Sequence, residues 1–554
     1  MIKSIFVSKN IYLLILIGLG IIFFVVYAWQ YYGLDTLFTS PDETANYFFI
    51  ELFANQGQLS YEEPLNVDVN NVIKPRSMGV NGDNVVPGSF LGIILLYGLI
   101  AKIFGLKIVL YLTPLFSVIS VIFFYLLIKE VFNKKVAFVS SVFLFFLPPF
   151  WYYSARGMFH NALFISLLII GCYFIVKSIK NSNATVKAIS NYFLAGLFVG
   201  LALITRTSET IWIFVVTILL FSFFRKNIKW YFPVIFFVVI MLVFSPILFL
   251  NNQLYGSPFS FSYSSQTIDS SSLQTFTQSS LEKFKQLIWP FNFDFNYASQ
   301  SFYNYILLIF PWFSIFFVIG FIRLWKNVIN SIFFKMRGLK YQASISEAQK
   351  KYGILFTVIL IWLFLYYGSY FFIEYLDPTR IILGSSYLRY WLPIFVFGLP
   401  FVTIGISKVT FLFRQPLIKK IIISTCFLFF CSFSVITVLS DPLQGLYALK
   451  TNISQDIQKN RLIIAQTESN SIIISGYNDK VFFPSRKVIV GWPAEDTLFD
   501  KSMKVMIREH PVYFFYNPLD ENSLRTKNLI HKFNYNIEEV TNNNRTEEVL
   551  YKIQ

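Results

Sequence analysis

The chain has 554 residues, of which 55% are hydrophobic, 20% aromatic and only 14% charged, with a formal net charge of +16. A soluble protein of this length needs about a quarter of its residues charged, so a soluble globular chain is excluded. The Lys and Arg excess sits in short clusters between apolar runs, which reads as membrane topology and not as nucleic-acid binding.

The apolar runs come in chain order, and about 20 apolar residues span a bilayer. On that measure the sequence predicts eleven spans, roughly 11–29, 108–128, 136–153, 161–177, 189–205, 210–224, 230–250, 303–322, 353–373, 390–406 and 421–439. The first run is too long and bulky for a cleaved signal and lacks a small-residue cleavage site. Cys172, Cys426 and Cys431 lie in apolar runs without metal-ligand spacing, so no disulfide or zinc framework is implied.

Residues 89–106 are apolar too. Counting them as a span would reverse every later loop and place the clusters around Lys129, Lys134 and Lys135, Arg225 and Lys226, and Lys419 and Lys420 outside. The positive-inside rule therefore makes Ser89 to Leu106 a helix along the outer surface, with Lys102 and Lys107 among lipid headgroups. The N-terminus is then cytoplasmic, and an odd number of spans puts the C-terminal tail outside. The organisation read here is a membrane domain over 1–440, with a first outer loop 31–107 and a long fourth loop 251–302, followed by an extracytoplasmic domain over 441–554. In that tail, short β-rich runs (Ser471 to Ser475, Lys487 to Val490, Val512 to Tyr516, Val549 to Ile553) alternate with candidate helices (Thr451 to Gln466, Asn522 to Lys532), which predicts a small α/β fold. The fold class is thus mainly α, a polytopic helix bundle with a small α/β domain. The Lys, Asn and Ile bias points to a prokaryotic plasma membrane.

Ionisable groups gather on one side. The first outer loop carries Asp42 and Glu43 just after the first span; Ser40 or Asp42 as the cap of a helix from about Thr44 to Asn55 is the plainer reading of that pair. The second carries Arg156, His160 and Asn161, the third Arg206, and the fifth Arg389 and Tyr390. An arginine at the end of a span commonly snorkels to headgroups. Three arginines and two acids on one face also suit a second task, holding a lipid-linked phosphate and activating a hydroxyl beside it.

With those residues in view, the chain resembles the GT-C class of membrane glycosyltransferases, in particular the group of protein O-mannosyltransferases and the aminoarabinose lipid A transferase. The resemblance covers about 1–440 and rests on Asp42-Glu43 followed by Tyr47, on Val86-Pro87-Gly88-Ser89-Phe90-Leu91, on Tyr255-Gly256-Ser257-Pro258-Phe259 with Tyr263, and on Arg389-Tyr390-Trp391-Leu392-Pro393. It implies a polyprenyl- or dolichyl-phosphate sugar donor, membrane lipids as surroundings, and a protein, lipid or glycan acceptor on the outer face. It also implies inversion at the anomeric carbon, with Asp42 as base and Glu43 orienting the acceptor or holding a surface helix. Arg389 and Arg206 are then the candidates for the carrier phosphate, followed by Arg156 and His160, with Tyr47, Tyr263 and Tyr390 as further substrate contacts. Many members carry another acid in the second outer loop, where this chain has His160-Asn161. If a divalent metal binds, Asp42 is its ligand, but Asp42 and Glu43 alone make a poor hard-cation set, and the sequence requires no cofactor. The rival readings are a transporter of lipid-linked sugars, which would keep its charges at mid-membrane, and a non-catalytic scaffold or sensor, which leaves the acid pair and the arginines unexplained.

Overall fold

The computed structural model describes residues 2–33, 36–181, 185–259, 293–337, 345–369, 383–384, 387–491, 501–516, 535–541 and 548–554. Its residues fall into two compact units that interleave in sequence. One takes 1–30, 111–245 and 273–448; the other takes 31–110, 246–272 and 449–554.

The first unit is a helix bundle, and this is a multi-pass membrane chain. Among the described residues nine helices are long and apolar enough to cross a bilayer, and one bent pair makes a tenth. The expected eleventh, 210–224, is the shorter apolar helix beginning at Thr207. The bent pair is Lys134–Phe146 and Pro148–Ala155, which meet at 53°. The cause is local: Pro148 cannot continue the helix, and it pushes Leu147 to an extended backbone (φ −63°, ψ 115°). The expected span 303–322 is broken as well. Tyr303–Leu308 is a π-helical turn, after which Pro311 opens a new helix to Met336. The Ser314 hydroxyl donates to the Ile306 carbonyl at 2.6 Å and so satisfies a group the break sets free.

Helices Pro311–Met336 and Leu392–Phe411 touch backbone to backbone. A Cβ on Gly320 would lie 1.9 Å from the Phe401 carbonyl oxygen, and one on Gly405 would lie 2.0 Å from that of Phe316. Small residues of this kind let membrane helices approach where no hydrophobic drive exists between them.

The second unit holds the polar architecture. Helix Pro41–Gln56 packs on helix Leu91–Phe104, with Gly98 against the Phe53 ring. Leu91–Phe104, the stretch expected to lie along the surface, has 14 residues, about 21 Å of helix, too short for a 30 Å hydrocarbon core. It buries Leu91, Ile94, Tyr97 and Ala101 and exposes Leu99, Ile103 and Phe104, a one-sided apolar face that suits an interface. A small antiparallel sheet joins Met78–Asn81, Asn84–Pro87 and Tyr61–Glu62.

The tail forms a five-stranded mixed sheet in the order Lys487–Val490, Ile472–Ser475, Val512–Tyr516, Val549–Ile553, Ile537–Thr541. The first three strands are parallel and the last two pair antiparallel. Four of these strands were expected from β-rich runs; Ile537–Thr541, with Glu538 and Glu539, was not. The expected helix 451–466 is Leu446–Ala465, while 522–532 lies outside the described residues. Leu65, Val69 and Ile73 from the first loop enter the same core as Ile474, Ile489 and Phe514. Loop and tail thus share one hydrophobic interior.

Candidate active site

In the second unit the acid pair opens helix Pro41–Gln56. Pro41 stands at its start and Ser40 is extended (φ −113°, ψ 138°), but the Ser40 side chain makes no capping bond. The Thr44 N–H and hydroxyl both reach the Ser40 carbonyl instead. Carboxylates in a first turn sit at the positive end of the helix dipole. The two acids then diverge. Glu43 is buried (1% exposed) and accepts a bond from the Tyr31 hydroxyl at 2.9 Å. Asp42 is half-buried, and its Oδ1 accepts from the Ser77 hydroxyl at 2.6 Å. Tyr47 lies five residues further on, about 140° round the helix from Asp42 at 100° per residue. It lines a cavity of 230 Å³ with Phe48, Glu51, Lys480 and Phe483, and burial, reinforced by the Glu51 charge, raises its hydroxyl above the ordinary tyrosine range.

In the first unit the arginines form a cluster of their own. Arg156 ends the short helix Pro148–Ala155, Arg206 ends the helix Thr185–Thr205, and Arg389 sits in the turn Leu388–Trp391 that leads into Leu392–Phe411. All three are buried, at 6%, 4% and 7% exposure, so headgroup snorkelling does not describe them. Arg156 and Arg389 each place a guanidinium 4.6 Å from the Phe159 ring centre. Arg206 and Arg389 share the Tyr390 ring, at 4.9 and 5.5 Å. Each such contact is worth about 0.5–2 kcal/mol. Arg206 also pairs with Glu209 at 2.7 Å and donates to the Tyr367 hydroxyl at 2.6 Å, and Tyr367 in turn donates to Glu209. The Asn161 amide donates to the Arg389 carbonyl at 3.2 Å and ties the second expected loop to the fifth. His160 follows Phe159 at the start of helix His160–Lys180 and is 7% exposed.

Residues 90–249 match the family model described as dolichyl-phosphate-mannose-protein mannosyltransferase. No curated protein matches the chain by sequence. Among solved structures, ArnT from Cupriavidus metallidurans in the apo state aligns over 99% of this chain and 98% of its own, at 10% identity and a TM-score of 0.54. The Archaeoglobus fulgidus oligosaccharyltransferase tethered to an acceptor peptide with an NVT sequon aligns over 92% of this chain and 69% of its own, at 13% identity and a TM-score of 0.56. The same enzyme, AglB, with an inhibitory peptide and a dolichol-phosphate aligns at 12% identity over the same shares of the two chains, with a TM-score of 0.52. The chain has the GT-C fold.

Within this GT-C fold, Arg156, Arg206, Arg389 and Tyr390 come together as one group, with His160 next to the shared Phe159 ring. Asp42 and Glu43 share a helical turn but have different partners. Tyr263 lies outside the described residues. The partners that hold these groups were not singled out in the sequence: Ser77 and Tyr31 for the acids, Phe159, Glu209 and Tyr367 for the arginines. Only Glu209 carried a usable signal, three residues after Arg206 at the spacing of an adjacent ion pair. A metal reading fits these residues poorly. Glu43 is engaged with Tyr31, Asp42 with Ser77, and among the described residues no three His, Cys, Asp or Glu side chains gather to hold an ion.

Proposed function

We propose that this chain is an inverting glycosyltransferase of the outer membrane face, moving a sugar from a polyprenyl-phosphate carrier to a hydroxyl acceptor. The observation that carries the reading is the buried cluster of Arg156, Arg206 and Arg389 threaded on Phe159 and Tyr390. Guanidinium groups offer planar, paired donors that match phosphate oxygens. The matched family model is described by a dolichyl-phosphate-mannose donor, and AglB was captured with dolichol-phosphate and with peptide, which favours a polyprenyl phosphate as the carrier here.

In the proposed step the acceptor oxygen attacks the anomeric carbon from the face opposite the phosphate. Its proton passes to the Asp42 carboxylate, the new carbon–oxygen bond forms, and the bond to the carrier phosphate breaks with its electron pair on phosphate. The leaving group is already a stable anion, so the arginines need only hold its charge, while the acceptor hydroxyl needs the base. Asp42 suits that role better than Glu43 because it is half-buried, whereas Glu43 is enclosed with Tyr31. Glu43 anchors the turn. Arg389 and Arg156 are assigned to the phosphate, with Arg206 supporting them while it also pairs Glu209. The density of Lys and Arg in alternate loops, by the positive-inside rule, supports the outer-face orientation.

The test is transfer of label from a panel of radiolabelled polyprenyl-phosphate sugars in membranes carrying the wild type or Asp42→Asn at matched expression. The reading expects one donor to be consumed by the wild type and not by the variant. Equal rates in the two would remove Asp42 as base.

A further inference from the structure

Nothing in the proposed step uses the C-terminal segment, yet of two adjacent residues in it one holds the neighbour of Ser77 and the other reaches the start of the acid-bearing helix. Asp479 is fully buried at the head of the short helix Asp479–Phe482. Its Oδ2 accepts the backbone N–H of Arg76 at 2.7 Å, and its Oδ1 accepts Arg76 Nε at 3.0 Å and Nη2 at 2.6 Å. Arg76 Nη2 also donates to the Tyr477 carbonyl at 3.0 Å, and the guanidinium lies 4.8 Å from the centre of the Tyr477 ring. One carboxylate therefore grips Arg76 by both main chain and side chain, one oxygen taking the backbone N–H and the other two charge-assisted guanidinium bonds.

The next residue is Ser77, whose hydroxyl holds Asp42. Ser77 has φ +63°, a left-handed backbone that side-chain-bearing residues seldom adopt. Its carbonyl accepts the Gly88 N–H at 2.9 Å, and a Cβ on Gly88 would lie 2.1 Å from that carbonyl oxygen. The glycine of the Val86-Pro87-Gly88-Ser89 stretch is thus what lets the backbone close on Ser77. Ser89 then donates to Asn46 on the acid-bearing helix at 3.0 Å. On the other side, Lys480 donates to the Thr39 carbonyl, just before that helix begins.

We propose that Asp479 is a positioning residue for Asp42, acting through Arg76 and Ser77. The inference rests on Asp42 serving as the base. Asp479 holds the peptide that precedes Arg76 through its N–H, and the Arg76 side chain as well, so the residue before Ser77 is fixed and the Ser77 hydroxyl stays aimed at Asp42. The C-terminal segment thereby takes part in setting the geometry of the reacting acid. The charged groups nearby are Glu43 on the same turn, Arg76 beside Ser77, and Lys480 at Thr39.

A merely structural brace and a positioning residue predict different kinetics. A hydrogen bond to a carboxylate favours its charged form, so loosening the Ser77 bond moves the acidic limb of kcat to higher pH. The experiment measures pH profiles of the full chain in membranes, with the donor that the panel identifies, for wild type, Ser77→Ala, Asp479→Asn, their double variant, and Asp42→Asn. The inference expects Ser77→Ala and Asp479→Asn each to lower kcat about tenfold, to leave the donor KM within about twofold, and to shift the limb upward by at least about 0.5 pH unit. The double variant should be no worse than Ser77→Ala alone, as members of one chain of contacts are non-additive. If Asp479→Asn does not fold, Arg76→Gln carries the same expectation. An unmoved limb in Asp479→Asn, or losses that multiply in the double variant, overturns the inference and leaves Asp42 as the base. Asp42→Asn matching the wild type, whether both turn over or neither does, removes the base and the inference with it.

Discussion

The arginine cluster and the acid-bearing turn handle charge in opposite ways. The arginines are 4–7% exposed, sit at the ends of helices, and are cushioned by rings they share, with one of them locked to Glu209. Asp42 is half-buried at the start of a helix and accepts a short bond from the Ser77 hydroxyl, while its neighbour Glu43 is enclosed. A group that must hold a charged partner gains from burial, because low dielectric strengthens the contact. A group that must take up a proton needs access and a defined direction. On the proposed function, the contrast assigns the two regions to different terms of the same rate: the cluster to donor binding, and the acid to the chemical step.

That division can be broken in several places. The largest effect is expected at the base. Asp42→Asn should lower kcat by about 10²–10⁴-fold, the usual weight of a positioned general base, with little change in thermal stability because the amide oxygen still accepts from Ser77. Transfer rates and a melting curve in detergent check both halves. Next comes Arg206→Gln. It strands the Glu209 carboxylate, 3% exposed, and breaking one side of a buried pair costs about 3–5 kcal/mol; the melting temperature should fall, and Arg206→Gln/Glu209→Gln should recover part of the loss. Arg389→Gln and Arg156→Gln should act on binding instead, weakening the donor about tenfold to hundredfold if each gives up a charge-assisted bond of about 1.5–3 kcal/mol, as read from KM.

The smallest effect belongs to the tail. The Glu468 carboxyl is held down to about 2 by the Tyr513 hydroxyl at 2.6 Å, with Lys552 at 3.0 Å adding to it. Its folded value is below the ordinary 4.5, so the folded state gains from it above about pH 4.5 and loses that gain as pH falls toward about 2. Glu468→Gln should flatten this part of the acid-unfolding curve of the full chain, measured by tryptophan fluorescence, and leave neutral-pH transfer unchanged.

The helices were legible because apolar runs of about 20 residues have one outcome in a bilayer. The departures came where local chemistry interrupts a run without lowering its hydropathy, at Leu147–Pro148 and between Leu308 and Pro311. The charged members of the candidate site were legible for the same reason: Asp42, Glu43, Arg156, Arg206 and Arg389 stand out against apolar surroundings. Their partners did not. Ser77 lies 35 residues from Asp42, and Tyr367 lies 161 from Arg206, and a serine in a loop or a tyrosine among many carries no mark of the contact it will make. Four strands of the five-stranded sheet were visible from their β-rich runs, but its core also draws on Leu65, Val69 and Ile73, residues that in the sequence read only as part of a long loop.

The central claim, that the arginines bind the donor and Asp42 drives the chemistry, is tested most directly by equilibrium binding. Undecaprenyl phosphate would be titrated into purified full-length wild type, Asp42→Asn and Arg389→Gln, with bound lipid counted by native mass spectrometry. The account predicts that Asp42→Asn binds within about twofold of wild type and that Arg389→Gln binds at least about tenfold more weakly. Binding that is lost in Asp42→Asn and kept in Arg389→Gln would contradict it.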